Sequence, residues 1–182
     1  MLKITAIVIA LLIVAVLVYA ATKPDNFRVE RSVSIKAPAE KIFPLINDFH
    51  QWDAWTPYNK DPAMKKTFGG APSGVGSTYA WEGNRQVGQG DIDISASTQP
   101  HKVALNLHMI KPFEANNKVE FTLQTKGDVT DVTWAMEGKQ IYIGKVMGIF
   151  MSMDSMVGKD FEVGLERLKA VAEKWRPNRL NI

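Results

Sequence analysis

The sequence predicts an α+β protein: an antiparallel sheet with one apolar face, covered by a long C-terminal helix and preceded by a membrane-spanning helix. Three observations carry this reading. From Ile4 to Ala21 the chain is an uninterrupted apolar run. Between Phe27 and Met136 apolar residues return at every second position, in stretch after stretch. Near the end the period changes to three and four, through Met153, Met156, Val157, Phe161, Leu165, Leu168, Val171 and Ala172.

As a helix the first run is about 27 Å long, close to the roughly 30 Å hydrocarbon core of a bilayer. It contains no charge or proline, so such a helix satisfies its own backbone hydrogen bonds in lipid. Lys3 and Lys23 flank it, and Tyr19 lies near its outer end, where an amphipathic ring suits an interface. The competing reading is a cleaved secretory signal, with Lys3 in the n-region and Val18, Tyr19 and Ala20 at the cleavage site. The run is slightly long for a signal's apolar core and slightly short for a span. A retained single-pass anchor over residues 1–22 is the favoured reading. Lys3 on one flank and Lys23, Arg28 and Arg31 on the other give no clean orientation; the extracytoplasmic side is preferred for the domain.

Residues 27–175 then make one domain, and 176–182 a frayed tail. Hydrophobic content of 46% and charged content of 23% are ordinary for a globular chain. A net charge of +3, scattered without a Lys/Arg run, gives no reason to expect nucleic acid. With no cysteine, disulfides, thiolate-bound zinc and a thiol nucleophile are excluded.

Along the domain, Phe27, Val29, Val33 and Ile35 share one face of a first strand. Pro38 and Glu40 fit positions N1 and N3 of a helix through Ile42, Phe43, Leu45 and Ile46, which Pro44 keeps short or kinked. Asp48 can cap a second short helix carrying His50, Trp52 and Trp55, ended by Pro57. A Gly/Pro-rich loop from Gly69 to Gly76 follows; it lacks the Gly-Lys-Ser/Thr ending of a phosphate loop.

Strand after strand, the inward face then reads Tyr79 and Trp81; Ile92, Ile94 and Ala96; Val103, Leu105, Leu107 and Met109; Val119, Phe121 and Leu123; Val132, Trp134 and Met136. Turn-forming breaks at Gly83-Asn84, Gln99-Pro100, Asn116-Asn117 and Gly127-Asp128 separate these sets, as in a meander. The closing helix is expected from about Met151 to Lys174, with Gly158 and Gly164 where it comes nearest the sheet.

The segment from Val29 through Lys36-Ala-Pro-Ala-Glu40 to Phe43 resembles the first strand and helix of the START-like (SRPBCC) superfamily, the polyketide cyclase/dehydrase and lipid-transport group. Phe49-His-Gln-Trp-Asp-Ala-Trp-Thr-Pro57 is similar to the segment that follows there, and Val157 to Lys169 resembles the closing helix. The resemblance covers the soluble part. It implies a helix-grip architecture, a curved antiparallel sheet gripping the long helix around a cavity. It is specific for fold and weakly specific for activity, because the fold hosts lipid carriers, receptors, cyclases and domains of unknown role.

On that architecture the candidate ligand-cavity residues are Trp52, Trp55, Tyr79, Trp81, Ile92, Ile94, Leu105, Leu107, Met109, Phe121, Trp134, Met153, Val157 and Phe161. Each taken singly is equally a plain core residue. Large aromatics opposite Gly88, Gly90 and Ala96 form a size pattern that can leave ligand space. Tyr79 is the one weak catalytic candidate, with Arg31 and Arg85 as further polar groups. Arg31 falls on the apolar face of the first strand and must be paired or snorkel. Trp52 and Trp55, neighbours on a helix, either gate a cavity mouth or pack on the sheet.

Met147, Met151, Met153 and Met156 offer adaptable apolar surface or plain core. Asp91 and Asp93 alternate with inward isoleucines and so face water. His50, His101 and His108 have no metal-ligand spacing, so neither metal nor cofactor is expected. Three functions compete: membrane-tethered binding or transfer of a lipid-like molecule, a polyketide cyclase/dehydratase-type enzyme, and a ligandless interaction or stress-response domain. The first leads.

Overall fold

The computed structural model describes residues 2–140, 142–149 and 153–174. Its elements run α1 (Leu2–Ala21), β1 (Asn26–Ile35), α2 (Ala39–Asn47), a 3-10 turn (Phe49–Ala54) and β2 (Lys65–Gly70). They continue with β3 (Ser77–Glu82), β4 (Gln89–Thr98), β5 (Lys102–Lys111), β6 (Ala115–Lys126), β7 (Val129–Lys139), α3 (Tyr142–Met147) and α4 (Met153–Lys174). The expected helix start at Met151 and the tail 176–182 lie outside the described residues.

The seven strands form one curved antiparallel sheet in the order β1-β7-β6-β5-β4-β3-β2, a meander whose last strand is flanked by the first. The alternation of the sequence sets its two faces. Val29, Ile92, Ile94, Val103, Leu105, Val119, Phe121, Val132 and Trp134 are buried, and α4 contributes Phe161, Leu165, Leu168 and Ala172 to the same core. α1 is long and apolar enough to cross a membrane, a property that a signal sequence shares.

α4 approaches the sheet through its glycines, as expected. A side chain at Gly164 would stand 2.8 Å from the Trp134 ring and 3.0 Å from Pro57. At Gly158 it would meet the guanidinium of Arg31 at 2.2 Å. The first glycine of α4 therefore makes room for a charged group and the second for an indole. Arg31 lies across Gly158, its guanidinium bonded to Asp154 at 2.7 and 3.0 Å and to Glu162 at 2.7 Å. The odd arginine of the apolar face is the clasp between β1 and α4. Farther along, Lys60 bridges to Asp160, and Glu173 accepts the Lys36 backbone N–H.

Four local expectations change. Helix α2 begins at Ala39, so Pro38 is its N-cap residue rather than its first turn. A register shift between Ile94 and Ala96 turns Ala96 outward, and Ser97 takes the position opposite Val103, donating its hydroxyl to Asn47. Strand β2, read as loop at its glycines, pairs along β3. It escaped notice because its residues are mostly exposed and show no apolar alternation. Helix α3 is too short to build a periodic signal.

Candidate functional site

Eight of the expected cavity residues come together in the buried core. Trp52, Trp55, Ile92, Ile94, Leu105, Phe121, Trp134 and Phe161 are all buried. The two tryptophans of the 3-10 turn are fastened by their indoles: Trp52 donates to the Ile46 carbonyl at 2.9 Å and Trp55 to the Leu45 carbonyl at 2.8 Å. Their partners are carbonyls near the end of α2, which a helix cannot bond internally. Trp55 meets Phe121 and Trp134 edge-on at 5.9 and 5.7 Å, and Trp134 stacks on Phe161 at 4.0 Å. Trp52 and Trp55 thus pack on the sheet.

The other candidates lie nearer the surface. Tyr79, Trp81, Leu107, Met153 and Val157 are half-buried and pack against the core; Met109 is half-buried and stands outside that cluster. Of the remaining methionines, Met147 and Met156 are exposed, and Met151 lies outside the described residues.

The glycines of the sheet do not leave ligand space. At Gly90 an added side chain would lie 2.6 Å from the Trp81 ring, so that indole already fills the gap; its N–H donates to the Val87 carbonyl at 3.1 Å. Gly88 sits in a left-handed turn with φ of 67°, against the Lys111 carbonyl. Ala96 faces out, as the bulge requires. Of the three small residues of that pattern, Gly90 alone faces an aromatic ring, which fills its gap.

Tyr79 lies between Phe68 and Trp81, at 5.2 and 5.9 Å. Burial first, and the charge of Asp53 second, push its hydroxyl up to about 12. Arg85 is exposed in the turn after β3. Arg31 is committed to α4, and its hydrogen bond holds the Asp154 carboxyl below the usual range. His50 stacks on Phe68 and contacts Asp48, and His108 contacts Asp91 on the outer face. Among the described residues, no group of three or more His, Asp or Glu could hold a metal ion.

Among the described residues, two openings stand out elsewhere. One, of about 210 Å³, is on the outer face of the sheet among Ser95, Asn106, Lys118 and Glu120. The other, of about 240 Å³, lies where the anchor joins the domain, lined by Lys23, Pro24, Phe27, Arg28, Val29, Gln140, Lys145, Gly148, Met153 and Asp154. Of these only Met153 was expected. The rest come from the linker after α1, the start of β1, the end of β7, the segment around α3 and, with Asp154, the first turn of α4, so no local pattern joins them. Lys145 is buried and pairs with Asp25, whose carboxyl it holds below the usual range. Among the described residues two buried side-chain atoms have no hydrogen-bond partner, the Asn117 Oδ1 and the indole N–H of Trp134; of these the Trp134 group belongs to the aromatic core.

A single curved antiparallel sheet closed over one long helix defines a helix-grip domain. The chain belongs to the polyketide cyclase/dehydrase and lipid transport family, whose family model matches residues 26–173, from the start of β1 into the last turn of α4. Among solved structures, a protein from Chromobacterium violaceum is similar with a TM-score of 0.59 at 13% identity, covering 84% of this chain and 100% of its own. A protein from Mesorhizobium loti has the same TM-score, 0.59, at 17% identity, covering 83% and 100%. The Aha1 dimer from Colwellia psychrerythraea scores 0.55 at 17% identity, covering 83% and 99%. At such identities the likeness concerns the fold. No curated protein matches the sequence significantly.

Proposed function

We propose that this protein binds a hydrophobic, lipid-like small molecule while α1 holds it at a membrane. The observation that carries the reading is the cleft at the junction of anchor and domain. Its apolar wall, Phe27, Val29 and Met153, is the edge of the domain core itself. An apolar chain entering there therefore meets core side chains. Each buried methylene contributes about 0.8 kcal/mol, so a chain of modest length reaches micromolar affinity after association costs. Val29 faces Met136 across the strand pair, and the next inward residue of β7 is Trp134. Its unpartnered N–H suits the acceptor of a ligand that has one polar group.

The family description names both enzymes and carriers. Tyr79 argues for the carrier. A proton-transfer catalyst works best with a pKa near the operating pH, whereas burial moves this hydroxyl the other way, to about 12. Native mass spectrometry of the full chain, released from detergent micelles, tests the proposal. The expected result is a retained apolar ligand that disappears in Met153→Trp, which fills the cleft. A chain that retains no ligand, or turnover of a polyketide-like substrate that is abolished in Tyr79→Phe, would overturn it. For the anchor, the full chain should stay with membranes through alkaline carbonate washing. A soluble product starting near Ala21 would establish a signal peptide instead.

A further inference from the structure

The geometry points to α3 as a membrane-surface helix that lies in the lipid headgroup layer beside α1 and brings the mouth of the cleft to the bilayer. This inference rests on the reading of α1 as a membrane anchor and adds a second membrane contact to it. The Tyr142 hydroxyl donates to the Leu17 carbonyl at 2.7 Å. Leu17 precedes the end of α1 by four residues, about 6 Å along the axis at 1.5 Å per residue. α3 therefore lies alongside the last turn of the anchor. Val16 is half-buried and Ala20 fully buried, a stripe at i and i+4 on which the domain covers α1.

Depth follows from this contact. If the apolar run fills the hydrocarbon core, the level of Leu17 is about 6 Å inside the boundary between acyl chains and headgroups, within the depth that a surface helix reaches. Tyr19 and Tyr142 lie there, and Lys23 reaches back over the Tyr19 ring at 4.6 Å, its ammonium close to the interface. The side chains of α3 divide accordingly. Lys145 turns inward to Asp25 of the linker, while Tyr142, Ile143 and Met147 remain 49%, 47% and 48% exposed. Three apolar side chains exposed on so short a helix are costly in water and ordinary at a lipid surface. The bilayer that α1 enters is the surface beside them.

The consequence concerns the cleft. Lys145 and Gly148, from α3 and just beyond it, share its lining with Lys23 and Pro24 of the anchor linker. With α3 in the headgroup layer the cleft opens onto lipid, and an apolar molecule passes between bilayer and domain without crossing water.

The absence of cysteine makes the test direct. Single cysteines replace Leu11, Ile143, Met147 or Val163, and each carries an environment-sensitive fluorophore in the full chain reconstituted into phosphatidylcholine vesicles. Leu11 lies in mid-anchor, and Val163 is an exposed residue of α4. Nitroxide-labelled lipid should quench the probes at Leu11, Ile143 and Met147 several-fold more than the probe at Val163, with iodide in the water phase showing the reverse order. If lipid quenches Leu11 while iodide alone reaches Ile143 and Met147, α3 does not touch the membrane, although the anchor stands. If lipid does not quench Leu11, the anchor reading fails and this inference fails with it.

Discussion

The two ends of the helix-grip interior are built on opposite terms. Around Trp55, Phe121, Trp134 and Phe161 the space between sheet and α4 is filled by rings in mutual contact, and the two turn tryptophans are fastened by hydrogen bonds to α2. Around Phe27, Val29 and Met153 the core edge faces an opening ringed by Lys23, Arg28, Gln140 and Lys145. One sheet serves both. The difference lies in what closes the space: large planar side chains at one end, long polar ones at the other, of which Lys145 is buried against Asp25. Large rings stabilise through buried area, whereas long polar chains leave room and can be pushed aside. Stability should therefore reside at the aromatic end and ligand entry at the anchor end.

The sharpest way to break this contrast is Phe161→Ala. Removing a buried ring stacked on Trp134 should destabilise the chain by about 3–5 kcal/mol in denaturant unfolding of the micelle-bound protein. A loss below about 1 kcal/mol would mean that the interior is loosely packed. Gly164→Ala comes next. Its new methyl would stand 2.8 Å from the Trp134 ring and 3.0 Å from Pro57, an overpacking that costs about 1–3 kcal/mol in the same measurement. At the open end Met153→Trp, at a half-buried position, should change stability by about 1 kcal/mol or less, while abolishing ligand retention.

Smaller effects sharpen the comparison through pH. Arg31 holds the Asp154 carboxyl below 3.8, so the clasp contributes stability above the unfolded pKa and loses it as pH falls through the lower folded value. Asp154→Asn should lack that contribution at neutral pH and show a flatter acid limb. An unchanged acid limb would place the clasp's role elsewhere. Tyr79 has the opposite sign: its folded pKa is raised from 10.0 to about 12. The stability tied to its neutral hydroxyl is present below 10 and disappears as pH rises through about 12. Burial also raises the Tyr58 hydroxyl, so near-ultraviolet titration should show a late-ionising component that loses one tyrosine's amplitude in Tyr79→Phe and keeps that of Tyr58.

Period and punctuation are local properties, and the sequence by itself determined whatever depends on them. Alternation across Val103, Leu105 and Leu107 makes a strand with one apolar face, because successive side chains must point to opposite sides. The repeat from Met153 to Ala172 makes an amphipathic helix for the same kind of reason, and the apolar run before Thr22 makes a helix long enough to cross a membrane. Whether the aromatic face encloses a void or fills itself depends on ring contacts between residues as distant as Trp55, Trp134 and Phe161, which only the tertiary structure decided. It also decided that a bulge turns Ala96 outward, that Trp81 occupies the gap at Gly90, and that Arg31 clasps Asp154 and Glu162. The cleft belongs to the same class. Lys23, Phe27, Gln140, Lys145 and Met153 have no common period, and they meet because the end of β7 returns beside the start of β1, where the anchor arrives.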